Sequence, residues 1–137
     1  MEKDCIFCKI AAGQIPCSKI YEDENVLAFL DIGPVSDGHT LVITKEHCTK
    51  VHSCRAEPLL AIAAVLPKIT AAVSAATKAD GYNVLCNNGM AAGQLVEHLH
   101  FHIIPRKMGD GIFNHWPAFK YPQGKVEKLT QEIRAKL

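Results

Sequence analysis

Residues 98–105 read "HLHFHIIP": His98, His100 and His102 alternate with Leu99, Phe101 and Ile103. A period of two is the pattern of an extended strand, whose side chains point alternately to opposite faces. The three histidines then share one face, while the apolar residues between them cover a core from the other. Imidazoles need polar partners when buried, so three on one face need an explanation beyond packing. Successive same-face residues are roughly 6.5 Å apart and the outer pair about 13 Å. Two neighbours can share a metal, but three on one straight strand fit poorly. At least one is left for another task, and a neutral imidazole at pH 7 is a competent nucleophile or base.

The rest of the chain suits a single domain. Its 137 residues, 48% hydrophobic and 21% charged, are enough for a buried core. The formal net charge of +1 gives no electrostatic case for a nucleic-acid or membrane surface. Any phosphate is therefore handled locally. The start "MEKDCIFCKI" is charged at once and shows neither a signal peptide nor a membrane span. A cytoplasmic location is expected, and with it reduced cysteines. Cys17, Cys48, Cys54 and Cys86 are read as ordinary thiols and no disulfide framework is expected.

An α+β fold follows from the order of the elements. "CIFCKIAAG" predicts a short helix stopped at Gly13 and Pro16. "IYED", "VLAFLDI", "HTLVITKEH", "YNVLCNN" and "HLHFHIIP" predict five strands, the last ended by Pro105. A long apolar stretch from Glu57 to Ala79 predicts the main helix, with Pro67 expected to kink or split it. Residues 107–123 read as loop and "KVEKLTQEIRAKL" as an amphipathic C-terminal helix. The sheet is expected to be mostly antiparallel, because meander pieces are interrupted by one helix only.

Two local motifs carry chemistry. Cys5-x-x-Cys8 is half of a tetrahedral zinc site and needs two more ligands. Spacing alone favours His47 and His52, a His-x4-His pair. "GMAAGQ" is a small-residue loop whose backbone can approach a phosphate closely, although it also reads simply as a turn.

"HLHFHII" matches the pattern of the histidine triad (HIT) family, and the likeness is not confined to it. "CIFCKIAAGQIP", "VLAFLDIGPVSDGHTLVITKEH", "LPKITAAV" and "NVLCNNGMAAGQ" all resemble segments of the zinc-containing HIT hydrolases. The resemblance spans residues from about 5 to 106 and implies one HIT domain over 1–137, ending in a loop and helix from 107. It implies attack on the α-phosphate of a purine nucleotide by His100, giving a nucleotidyl-histidine that water hydrolyses. His102 would contact phosphate or assist the leaving group, and His39 would orient the nucleophile. Gln94, with the backbone after Gly93, would bind phosphate.

By the same resemblance Asp31 accepts the ribose hydroxyls, with Asn87 near ribose and phosphate. Phe29 and Ile32 form part of the base slot, and Phe7 and Ile15 are further walls. The structural zinc would be held by Cys5, Cys8, His47 and His98, not by His52. A homodimer is implied, for which the Ala-rich helix offers an apolar face. The chain departs from the family at Leu95, where a hydroxyl side chain often touches phosphate; only the backbone N–H remains there. The expected activity is hydrolysis of nucleoside phosphoramidates or dinucleoside polyphosphates. A nucleotide-binding signalling module and a metallohydrolase using the triad as ligands are the competing readings.

Overall fold

A computed structural model describes residues 2, 4–113 and 115–137. The strands are β1 (Lys19–Glu22), β2 (Val26–Leu30), β3 (Thr40–Thr44), β4 (Gly81–Leu85) and β5 (His100–Arg106). The helices are α1 (Ile6–Ala11), α2 (Ala56–Thr77) and α3 (Lys125–Arg134). The strands form one antiparallel sheet in the order β1-β2-β3-β5-β4. The expected α+β architecture, with a long helix and a C-terminal helix, is the one observed.

The register sorts the side chains onto two faces. Phe29 pairs with Leu41 and Leu27 with Ile43; Leu41 pairs with His102 and Ile43 with His100. Side chains of directly paired residues share a face, so His100 and His102 extend an apolar surface built from β2 and β3. Phe7 of α1 packs on that surface. The opposite face carries Val26, Ala28, Val42 and Ile103, covered by Ile62, Val65, Ile69 and Val73 of α2. That helical stripe recurs every three or four residues. α2 is long and apolar enough to cross a membrane, with 22 residues and a window of mean hydropathy 1.9. Here the stripe seats it on the sheet as a core-covering helix.

Three expectations change. Of the kink or split expected at Pro67, the split does not occur, and the helix runs unbroken from Ala56 to Thr77. Ala63, whose carbonyl loses its partner at Pro67, and Pro67 itself are both exposed, so the freed acceptor is not stranded in the core. β5 begins at His100 and continues through Pro105 to Arg106. Asp80 N–H donates to Arg106 O at 2.9 Å, which turns the Arg106 backbone toward β4. The backbone nitrogen of Pro105 therefore points to the β3 side, where the ladder has already ended at Thr40–Ile103. Cys48 and Cys54, read as ordinary thiols, instead have bonded sulfurs, with Cα atoms 5.3 Å apart. A short 3₁₀ turn at Val51–Ser53 folds the chain back between them.

Gly38 is constrained by its surroundings. It adopts φ +83, and a Cβ there would stand 2.4 Å from Thr77 Cγ2 at the end of α2. The bend it permits delivers His39 to the start of β3.

Candidate active site

His100 Nδ1 lies 2.6 Å from the carbonyl oxygen of His98. A carbonyl only accepts, so Nδ1 carries the proton and Nε2 keeps its lone pair. The Phe7 ring stands edge-on to the His100 ring, with centroids 5.1 Å apart and planes at 81°. The imidazole is thus held in one orientation at the wall of a cavity of about 330 Å³.

His102 and His39 form a second directed chain. The Val35 N–H donates to His39 Nδ1 at 3.2 Å, leaving His39 Nε2 to carry a proton. That nitrogen is 2.9 Å from His102 Nδ1, so His102 Nδ1 accepts and its Nε2–H is the remaining donor. His102 Nε2 is buried without a partner among the described residues, and His102 lines the same cavity as His100. Burial holds His102 down to about 4, helped by the neighbouring His100 and His39. His39 is also lowered by burial, against the opposing pull of Asp31. Both rings are neutral at pH 7. The site thus pairs one free lone pair, on His100, with one free N–H donor, on His102.

The cavity is a slot with apolar and polar walls. Phe29, Phe7 and Ile15 are among the apolar ones, with Ile6, Ile10 and Leu41, which the sequence reading did not name. Leu41 was detectable in principle through its pairing with His102, but register is not visible in one sequence. Asp31, Gly93, Leu95 and the two histidines also line it. Asp31 is braced by Gly33 N–H on Oδ1 at 2.8 Å, and its Oδ2 stands 3.7 Å from His39 Nε2. Ile32 and Leu95 sit at the rim, fully or nearly fully exposed. Larger clefts of about 480 and 540 Å³ also open on the surface, the second adjoining this slot at Ile6, Leu95 and Val96, and neither is lined by His100 or His102.

Cys5, Cys8, His47 and His98 bring their ligand atoms within 4.8 Å of one another. Sulfur-to-Nδ1 distances run from 3.3 Å (Cys8–His47) to 3.6 Å (Cys8–His98). A tetrahedral zinc with ordinary Zn–S and Zn–N bonds requires about 3.6 Å. His98 Nε2–H donates to Thr44 O at 2.7 Å, which leaves Nδ1 as the free ligand atom. Burial lowers His98 to about 4, so it stays neutral. The residues fit a closed tetrahedral metal site. Asp31, His39 and His102 also cluster, but the His39–His102 hydrogen bond uses the lone pair a metal would need.

The HIT domain family matches residues 12–109 of this chain. The protein belongs to the HIT family. It is 44% identical over 134 residues to the adenosine 5'-monophosphoramidase hnt1 of Schizosaccharomyces pombe, covering 97% of this chain and 98% of that one. The crystal structure of SMU.412c from Streptococcus mutans UA159 superposes with a TM-score of 0.94 at 43% identity, covering 99% of this chain and 87% of the other. A zinc-bound histidine triad family protein from Mycobacterium smegmatis has a TM-score of 0.75 at 38% identity, covering 96% and 97% of the two chains.

Within this HIT domain two sequence-named residues stand back from the slot. Gln94 is buried and both ends of its amide are engaged: Nε2–H donates to Thr49 O at 2.6 Å and Oε1 accepts from Gly89 N–H at 2.7 Å. Its side chain braces the loop, while the backbone of Gly93 and the Leu95 side of the turn face the cavity. Asn87 stands behind the same turn, with Nδ2 3.5 Å from where a Gly93 Cβ would be. His52 is exposed in the Val51–Ser53 turn and is not in the Cys/His cluster.

Proposed function

We propose that this HIT protein hydrolyses nucleoside phosphoramidates, or dinucleoside polyphosphates, at the α-phosphate through a nucleotidyl-histidine. The observation that carries the reading is the pair of directed imidazoles on one cavity wall. His100 Nε2 holds a lone pair because Nδ1 is spent on His98 O; His102 offers an N–H with no partner among the described residues. In the first step His100 Nε2 attacks the α-phosphorus and the bond to the leaving group breaks. In the second, water breaks the phosphorus–nitrogen bond and releases the nucleoside monophosphate. His102 holds Nε2–H against the phosphoryl oxygen or leaving atom where charge develops. The backbone of the Gly93–Leu95 turn contributes further N–H groups, and Gln94 keeps that turn in place.

A purine base fits between the apolar walls Phe29, Phe7, Ile15 and Ile32, and Asp31 accepts the ribose hydroxyls. Asn87 supports the ribose and phosphate from behind Gly93. Zinc is the proposed metal on Cys5, Cys8, His47 and His98: a closed four-ligand set with no open position supplies structure, tying α1 to the entrance of β5. The protein acts in the cytoplasm as a homodimer, on small nucleotides and without nucleic-acid or membrane partners.

The decisive experiment is turnover of adenosine phosphoramidate by wild-type and His100→Ala protein. Loss of at least several hundred-fold in kcat is expected, about 4 kcal/mol in transition-state terms, with nucleotide binding kept. A variant retaining a tenth of the wild-type rate overturns the covalent mechanism. Slow wild-type turnover at saturating nucleotide instead makes the protein a binding module.

A further inference from the structure

The loop bounded by Cys48 and Cys54 adjoins the Cys/His cluster, the start of β5 and the turn that carries Gln94. His47, one residue before it, stands 3.3 Å from Cys8 Sγ through Nδ1. Cys48 O accepts the Leu99 N–H at 2.6 Å, fixing the chain between His98 and His100. Thr49 O accepts the Gln94 amide at 2.6 Å, and the Val51 N–H donates to Asn88 Oδ1 at 2.8 Å. Those last two contacts hold the turn that lies across the cavity from the histidines. Three of these connections radiate from a seven-residue loop whose ends are joined through sulfur, and the fourth leaves from His47 at its border.

We propose that Cys48 and Cys54 are a reversible redox-modification site whose disulfide clamps the phosphate-side loop and so sets the catalytic rate. The loop carries an exposed stretch at Val51–Ser53 and no helix or strand beyond that single turn. Its ordering therefore depends on its two ends and on the contacts just named. Closing it covalently removes conformations from the loop and keeps Thr49 O and Val51 N–H where Gln94 and Asn88 need them. Cleaving it releases that constraint without touching Asp31 or Phe29, which belong to β2 and its end.

The two sulfurs are not equally open to attack. Cys48 is buried, at 8% exposure, whereas Cys54 is partly accessible. An external dithiol therefore attacks Cys54 Sγ as a thiolate, forming a mixed disulfide and expelling Cys48 as thiolate, which takes up a proton. The second thiol of the reductant then displaces Cys54. One protein S–S bond is lost, one reductant S–S bond is gained, and two electrons and two protons pass to the cysteines. Oxidation reverses the exchange with a disulfide of the same class. In a reducing compartment the open form prevails, so closure reports oxidation.

The effect on rate rests on the hydrolase reading above, but the thiol chemistry can be read without it. Protein kept from reductants is unfolded in chelator and alkylated. Four thiols are expected to react (Cys5, Cys8, Cys17 and Cys86), rising to six, the full complement, after treatment with a phosphine. Six reactive thiols before reduction overturn the proposal whatever the activity. In the folded, metal-loaded protein, a phosphine is used so that no dithiol chelates the metal. Reduction is expected to lower kcat roughly three- to tenfold through misplacement of the loop, with the Kd of adenosine, which has no phosphate for the turn to hold, unchanged. The Cys48→Ser/Cys54→Ser double variant is expected to show the reduced rate and no response to phosphine. Equal kcat in both states, or a double variant that still responds, overturns the clamp. Absence of turnover in both states, with four thiols becoming six, leaves the redox site standing and overturns the hydrolase reading.

Discussion

His39 Nε2 and His102 Nδ1 stand 2.9 Å apart, and this contact fixes which nitrogen of His102 carries its proton. Because Val35 N–H already occupies His39 Nδ1, His39 must donate and His102 must accept. His102 then keeps a remaining N–H that has no partner among the described residues, on a ring that lines the cavity with His100. Without His39, the His102 ring is free to carry its proton on Nδ1 and to present a lone pair where phosphate needs a donor.

His39→Ala is therefore expected to lower kcat more than it changes nucleotide affinity. The loss should be about ten- to a hundredfold, the range expected when a positioned donor is lost or misaligned. His39→Gln, whose amide N–H can still donate to His102, should recover part of it. Steady-state kinetics beside equilibrium binding of adenosine monophosphate provide the check. An unchanged kcat in His39→Ala would mean that the tautomer of His102 is set elsewhere.

Asp31→Ala should act on the other side of the kinetic split. A carboxylate accepting two hydroxyls makes charge-assisted hydrogen bonds in ground and transition states alike. The expected sign is a raised KM with a smaller change in kcat, and a reduced preference for ribose over deoxyribose. If the wild-type enzyme already treats the two sugars equally, Asp31 does not read the ribose.

Acid should destabilise the fold through the same histidines. His102 falls from 6.5 to about 4 on folding because burial disfavours its charged form, and His39 is lowered for the same first reason. Between those values the unfolded chain binds more protons than the folded one, so stability is lost as pH falls from about 6.5 toward 4. For partly exposed His102 this amounts to about 1–2 kcal/mol. Urea unfolding of wild-type and His102→Gln protein at pH 7 and pH 4.5 isolates the contribution. The variant should show a smaller acid loss, and parallel losses would remove His102 from the account.

Much of this arrangement was legible because it rests on short-range pattern. The alternation in 98–105, turn residues such as Asp23 and Gly38, and the apolar runs of β3 and α2 each predict their own element. What was missed depends on contacts between distant segments. Leu41 enters the slot through a register that no local pattern encodes, and an amide such as Gln94 can face a ligand or its own loop equally well. Cys48 and Cys54 are separated by five residues with no ligand-like spacing, so the argument from compartment outweighed them. Strand periodicity put His98 on the face of His100 and His102, and the Phe7 ring does stand against both His98 and His100. In the fold the chain bends just before β5, with His98 N–H donating to Val96 O at 2.8 Å, and His98 swings toward α1.

That bend brings His98, and not His52, into the cluster with Cys5, Cys8 and His47. His98 is fully buried, with Nδ1 3.4 Å from Cys5 Sγ, whereas His52 is exposed in its turn. His52→Ala is expected to keep one zinc per chain and near-normal thermal stability. His98→Ala should lose zinc or bind it far more weakly, and should melt earlier, because binding energy at a structural site is also folding energy. Its activity should fall as well, since the carbonyl that orients His100 belongs to the residue being displaced. Elemental analysis of the two variants is the measurement. Zinc kept in His98→Ala and lost in His52→Ala would show that local His-x4-His spacing, rather than the cluster around Cys5 and Cys8, defines the site.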